Sequence, residues 1–468
     1  MISGPMPSPE ASAMRMSRGP VGVRPARARG AGRIGGRGRA TGTLGRLHAP
    51  EHHAASPRHD PYAALRLPDY RRFAAGFLCG SSGLAVMNTA IAWEVWERTH
   101  DPLALGISGL CRALPVVALA LFAGHVADAR DRKSIVVWTQ AGFAACALAF
   151  AVLSAAEAPV WAFYAAISAS AVVRAFNGPA RQGLLPLLAP PSIFQNVVTY
   201  QSGIFQASAV MGPIAAGVLI AHLPATWPVY LVSAVGCTVF AACVATTRPG
   251  PAPRSAGVIT VRAMLAGLSH MWTERPVFGA ILLDMLAVIF GGATALLPQY
   301  ADEVLGGGPE LMGVLRASPY LGALAMAAWL AFRPDFRRAG PALFWSVCAF
   351  AAATIVFGLS TAPWLSVLAL GVAGAADNVS VVIRHVLVQM RTPNALRGRV
   401  GAVNTMFIEC SNEIGGFESG LVSRFLGPVA SVVSGGIGTI LVAALVAWKV
   451  PQLRRLRRIE PLREPEPG

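Results

Sequence analysis

The sequence predicts an all-α membrane protein with twelve transmembrane helices in two six-helix bundles. Three observations predict it. The 468 residues are 54% hydrophobic and only 13% charged, about half the roughly 25% of charged residues in an ordinary soluble chain. Beyond Arg72 the chain is a succession of apolar runs, each near the ~20 residues that a helix needs to cross a bilayer. Short patterns in the first half also recur in the second at a nearly constant offset.

Residues 1–65 come first and read as a disordered cytoplasmic tail rich in Arg, Gly and Pro. The first sixty hold ten arginines against Glu10, Glu51 and Asp60, with no apolar period that could bury anything. Two readings stay open: a tether to anionic lipid or nucleic acid, and a nonessential tail. The spans expected next are 73–96, 103–127, 135–156, 159–181, 195–222 and 227–247. They form a first bundle over residues 66–247. A cytoplasmic linker, 248–276, leads to spans 277–300, 309–332, 341–361, 363–388, 400–422 and 427–450, a second bundle over 277–450. Residues 451–468 end the chain as a second cytoplasmic tail.

Charge assigns the sides. The formal net charge of +16 comes almost wholly from arginine, since Lys133 and Lys449 are the only lysines. With an even number of spans, Arg66, Arg71, Arg72, Arg130, Arg132, Lys133, Arg181, Arg248, Arg275, Arg333, Arg337, Arg338, Arg391, Arg397, Arg399 and Arg454 share one side, and the other keeps Arg98 and Arg424. Cytoplasmic loops carry the excess of cations, so both termini are expected in the cytoplasm of a bacterial cell whose inner membrane the chain crosses many times. The seven cysteines all lie in apolar runs with no CxxC pair, which argues against a disulfide framework or a zinc site.

The halves are related. Span two carries GLCRALP (Gly109–Pro115) and span eight GVLRASP (Gly313–Pro319), so Gly-x-x-Arg-Ala-x-Pro recurs 204 residues on. Arg181, Leu184 and Pro190 recur at a shift of 203 as Arg384, Leu387 and Pro393, and Gln206 and Gly212 fall on Glu409 and Gly415. Three echoes in equivalent spans argue for a parallel duplication of six helices, a transporter architecture.

Charges inside the spans are the candidate functional residues, because each costs roughly 3 kcal/mol at mid-helix on insertion scales and marks ion or substrate pathways. They are Arg112, Arg174, Asp284, Arg316, Asp377, Arg384, Glu409, Glu413 and Glu418. Asp284 lies about 11 Å inside span seven at 1.5 Å per residue. Asp377 and Arg384 sit two turns apart on one face, while Glu409, Asn412 and Glu413 share another. Two carboxylates one turn apart disfavour joint ionisation, a setting for binding and releasing a proton. Asp284, Asp377, Glu409 and Glu413 are therefore the expected proton and cavity residues, with Arg112, Arg174 and Arg384 as their charge partners. Purely structural ion pairing is the competing reading for any one of them.

Three motifs carry a resemblance. GHVADARDRK (Gly124–Lys133), between spans two and three, resembles the loop signature Gly-x-x-x-Asp-(Arg/Lys)-x-Gly-(Arg/Lys)-(Arg/Lys) of the major facilitator superfamily. Gly124, Asp128, Arg132 and Lys133 match; Ala129 and Asp131 depart. RAFNG (174–178) is similar to the family's Arg-x-x-Gln-Gly, with Asn177 for Gln. GPIAAG (212–217) is similar to the Gly-Pro-x-x-Gly-Gly signature associated with exporters, with Gly212, Pro213 and Gly217 matching. The stretches 282–305, 374–404 and 407–421 resemble the branch of the superfamily that includes enterobactin exporters.

The resemblance implies a major facilitator fold, a gating role for the loop around Asp128, helix packing at Gly212, Pro213 and Gly217, and a proton role for Arg174. It implies proton-driven export of a small organic molecule, a siderophore or drug-like amphiphile, with the proton motive force in place of any cofactor. The expected partners are the substrate, protons and the lipid bilayer, with no nucleic acid, and the protein is expected to act as a monomer. No phosphate-binding loop GxxxxGK[ST], nucleophile elbow or metal-spaced histidine cluster occurs in a span, so an enzyme is not expected. The alternatives are an uptake symporter and a non-transporting membrane sensor or tether.

Overall fold

The computed structural model describes residues 60, 62–251, 269, 271–333, 336–393 and 396–459; the side chains of 121, 128, 397–399 and 402 lie outside the description. Twelve long helices follow one another: α1 Pro68–Thr99, α2 Pro102–Ala129, α3 Arg132–Ala155, α4 Val160–Leu184, α5 Phe194–His222, α6 Trp227–Ala245, α7 Arg275–Phe290, α8 Gly308–Ala331, α9 Ala339–Leu359, α10 Pro363–Met390, α11 Arg397–Leu426 and α12 Pro428–Lys449.

Local chemistry sets their ends. Proline opens α1, α2, α10 and α12, where its missing N–H is no loss and its φ suits the first turn. Asp101 caps α2 by accepting from Leu103 N at 2.9 Å. Helix α1 stops at His100 in the left-handed region, φ 44°, whose N–H reaches Trp96 O at 2.8 Å. Gly427, φ 84°, makes the tight turn from α11 to α12.

The helix contacts show the duplication directly. In the first half α1 packs on α5 and α6, α3 on α4 and α6, and α2 on α4. In the second half α7 packs on α11 and α12, α9 on α10 and α12, and α8 on α10. Adding six to each label of the first set gives the second. The contacts between halves obey the same rule, α5 on α8 and α11 on α2.

Both cross-contacts rest on glycine. A Cβ on Gly217 would lie 3.2 Å from Gly313 Cα, and one on Gly420 3.3 Å from Gly106 Cα. Lipid tails are as apolar as leucine, so helices in a membrane associate by close packing of small residues rather than by a hydrophobic drive. Both crossings lie at the end of the bundle away from the arginine-rich loops. There Trp93 and Ile220 of the first half also pack with Leu296, Leu297 and Tyr300 of the second.

The structure differs from the sequence expectations at three places. Ordered packing begins before residue 66: Ala63–Arg66 is helical, and Ala64 is buried with Tyr70 and Val197. The C-terminal segment is docked through Ile459, since Leu453 is buried and Ala339 N and Gly340 N donate to Arg457 O and Leu456 O. Span seven is not one α-helix. It breaks at Gly291 and continues as a 3-10 turn, Gly292–Leu296, and a π turn, Tyr300–Val304; two glycines weaken the helix there, and Pro298 cannot donate to it. All twelve expected helices are present, and eleven of the described helices are long and apolar enough to cross a membrane by length and composition alone. The exception is α11, 30 residues long, which carries Glu409, Glu413, Glu418 and Arg424. Most of residues 1–65 and of the linker 248–276 lie outside the described residues.

Candidate functional site: charges between and within the two halves

Two ion pairs join the halves within the bundle. Arg112 of α2 faces Glu413 of α11, Nη1 to Oε1 3.5 Å, with side chains 22% and 17% exposed. One turn toward the arginine-rich end, Arg174 of α4 faces Glu409 of α11 at 3.3 Å, and these side chains are 46% and 44% exposed. Half-exposed charges on two facing helices mark a gap between the halves at this level. Gly109 makes room for the first pair, since a Cβ there would lie 2.9 Å from Glu413 Oε2. The like-charge repulsion expected between Glu409 and Glu413 is offset, because each carboxylate faces its own guanidinium. Arg316 of α8 stands within electrostatic reach of Arg112 and Glu413.

A second site lies wholly inside the second half. Asp284 of α7 pairs with Arg384 of α10, the side chains 9% and 3% exposed. Asp377 lines the same small pocket with Asp284, Ser346, Phe350 and Ser380. Hydropathy places Asp284 deep in its span, and α10 supplies both Asp377 and Arg384. The Asp284–Arg384 contact itself, between helices seven and ten, has no sequence signal, because it depends on how α7 and α10 cross. Glu418 accepts from the Ser419 hydroxyl at 3.4 Å.

The loop motif is anchored to helix ends of the first half. Arg132 Nη1 donates to Gly183 O at the end of α4, 3.1 Å, and Lys133 Nζ to Thr247 O just beyond α6, 2.9 Å. Cations at helix C-termini satisfy free carbonyls and complement the helix dipole. Asp131, which departs from the motif, caps α3: its carboxylate accepts from Ser134 N at 3.0 Å and from the Ser134 hydroxyl at 2.6 Å. That hydroxyl bond, ahead of the backbone N–H bonds and Lys133, holds the Asp131 carboxyl below the usual carboxylate range. Gly124 has open space where a Cβ would sit, and the Asp128 side chain lies outside the described residues.

The other two motifs are placed by packing. Asn177 Nδ2 donates to Thr139 Oγ1, 2.8 Å, tying α4 to α3. A Cβ on Gly212 would lie 3.1 Å from Ser82 O on α1; Pro213 is buried inside α5 and meets Gly313 of α8, while Gly217 forms the cross-contact already described.

Sequence reasoning missed the polar seal at the far end. Glu94, 2% exposed, accepts from Arg98 Nη2 at 2.6 Å and from the Tyr230 hydroxyl at 2.7 Å. Trp96 Nε1 donates to Asp302 Oδ2, 3.0 Å, and Arg424 Nη1 to Asp101 Oδ2, 2.9 Å; both bonds join the halves. The i,i+4 spacing of Glu94 and Arg98 was the available signal. Asp101 both caps α2 and accepts across the interface.

Comparison with known proteins agrees with this architecture. Residues 73–416 match the Major Facilitator Superfamily. The chain is 24% identical over 391 residues to the enterobactin exporter EntS of Shigella boydii serotype 4, covering 81% of this chain and 91% of that one. It is 23% identical over the same length to EntS of Escherichia coli O81. Among solved structures, a bacterial homolog of the human lysosomal transporter Spinster, inward-facing and occupied, superposes with a TM-score of 0.64 at 15% identity, covering 85% of this chain and 99% of that one. The xylose transporter XylE of E. coli, inward open, gives 0.61 at 14% identity, with 82% and 95% covered. The matched residues, the twelve helices and the sixfold shift in their contacts agree: the chain belongs to the major facilitator superfamily, a family of transporters rather than enzymes.

Proposed function

We propose that the protein exports a small organic molecule, a siderophore or a drug-like amphiphile, across the bacterial inner membrane in exchange for protons. The observation that carries the export reading is the likeness, over 91% of their length, to proteins named as enterobactin exporters. The arginine-rich ends face the cytoplasm by the positive-inside rule. The far end, closed by Trp96–Asp302 and Arg424–Asp101, then faces outward.

Alternating access rocks one half against the other. Such rocking separates Arg112 from Glu413 and Arg174 from Glu409, because each pair spans the halves. Separating a charged pair leaves two unpaired ions in the gap; a proton on the carboxylate removes one of them. This ties the movement to protonation. Asp377, which forms no hydrogen bond or ion pair among the described residues, is a further proton acceptor, beside the Asp284–Arg384 pair.

The test uses inverted membrane vesicles from cells expressing the protein, energised acid inside, with catecholate siderophores and cationic dyes as cargo. Accumulation that an uncoupler abolishes supports proton-coupled export. Accumulation only in right-side-out vesicles would replace export by uptake.

A further inference from the structure

Four oxygen-bearing side chains line the cavity inside the second half: Asp284 of α7, Ser346 of α9, and Asp377 and Ser380 of α10, with Val288 and Phe350 among its apolar walls. Its volume of about 20 Å³ holds one water-sized guest and no organic cargo. Asp284 is committed to Arg384 through Oδ2, which leaves Oδ1 as an acceptor. Buried Ser346 spends its hydrogen on Leu343 O at 2.8 Å, so its oxygen has only lone pairs to offer. Ser380, 3% exposed, and Asp377 form no hydrogen bond or ion pair among the described residues. A hydroxyl and a carboxylate left unmatched away from bulk water are costly unless a guest satisfies them. Arg384 is not that guest, because it pairs with Asp284 and lies seven residues beyond Asp377, about 11 Å along α10. Two carboxylates and one guanidinium leave one negative charge, on Asp377. Helix α7 ends just past Val288, at Phe290, so the negative end of its dipole adjoins the cavity as well.

We infer that this cavity is a binding site for a single sodium ion, with Asp377, Asp284, Ser346 and Ser380 as its oxygen donors. Hard cations take oxygen ligands, one uncompensated carboxylate matches one positive charge, and the volume admits one small ion. Three helices of one half supply the donors, so the site is complete without the other half. The inference goes beyond the export reading and rests on neither its direction nor its cargo. Sodium and the proton proposed above for Asp377 exclude one another at its carboxylate.

The experiment is equilibrium binding of radiolabelled sodium to the full chain in detergent at neutral pH, with choline chloride holding the ionic strength constant. Saturable binding that unlabelled sodium displaces and choline does not is the expected result. Asp377→Asn is expected to abolish it. Ser380→Ala, which removes one oxygen donor, is expected to weaken it by about tenfold, the scale of one contact to a charged group. A melting curve gives a second readout: sodium in place of choline should raise the melting temperature of the wild type by linkage and leave that of Asp377→Asn unchanged. No saturable sodium binding by the folded wild type would overturn the assignment and leave the cavity to a protonated Asp377 and a water. Sodium binding at wild-type affinity in either folded variant would also overturn it, by putting the ion elsewhere. Should Asp377→Asn fail to fold, Ser380→Ala decides. No gradient, cargo or direction enters the titration: sodium can bind while export fails in vesicles, and export can stand with no sodium bound.

Discussion

The ion pairs between the halves and the ion pair within the second half use the same chemistry in opposite settings. Arg174–Glu409 and Arg112–Glu413 join helices of different halves, and they are partly open to solvent. Asp284–Arg384 joins α7 and α10 of one half and is nearly sealed. Exposed pairs contribute little to stability because water competes for both ions, as contacts that form and break in the proposed cycle require. A sealed pair is tolerated only while both members remain, since removing one strands a charge. The comparison predicts that losing a residue between the halves alters transport, whereas losing one member of the sealed pair destabilises the second half.

The largest effect expected is Arg384→Met, which strands Asp284 and costs about 3–5 kcal/mol of stability. A melting curve in detergent checks it, and Asp284→Leu combined with Arg384→Met should recover most of the loss. Next comes Gly217→Val, whose added side chain meets Pro309 and Gly313. It should keep the far end from closing and reduce transport by at least about tenfold, consistent with packing faults of a few kcal/mol; vesicle uptake rates measure it. Glu409→Gln should shift the melting curve by no more than about 1 kcal/mol, yet flatten the dependence of transport on pH. A Glu409→Gln protein that pumped normally, with the wild-type pH profile, would remove Glu409 from the proton path.

The smallest effect is that of Asp131→Ala, about 1 kcal/mol for a lost helix cap. Its pH dependence has a definite sign. The folded carboxyl titrates below its unfolded value, so its contribution is complete above the unfolded pKa of about 3.9 and fades as pH falls through the folded value. Wild type and variant should therefore differ most near neutral pH and converge in strong acid, as paired melting curves would show.

Much of the fold was legible because a membrane imposes a coarse rule: apolar runs of fixed length, with cations on one side. The duplication was legible from Arg112 and Arg316, and the helix contacts repeat with the same shift of six. The charged residues of α4, α7, α10 and α11 stood out for the same reason, as polar letters in apolar text. Their pairing did not. Asp284 meets Arg384, Arg174 meets Glu409 and Arg112 meets Glu413 through helix crossings that no local period encodes. Glu94 escaped notice near the end of its span, where a charge is ordinarily unremarkable. The break in span seven at Gly291 was hidden because the run stays apolar across it.

The most direct test of the central account measures the far end itself. Spin labels on exposed positions Ala156, in the loop from α3 to α4, and Thr361, in the loop from α9 to α10, report the separation of the halves there once the seven native cysteines are replaced. At neutral pH the account predicts one dominant short distance, and a second, longer distance on introducing Glu409→Gln together with Glu413→Gln. A single unchanged distribution in the double variant would show that these pairs do not govern the movement of the halves.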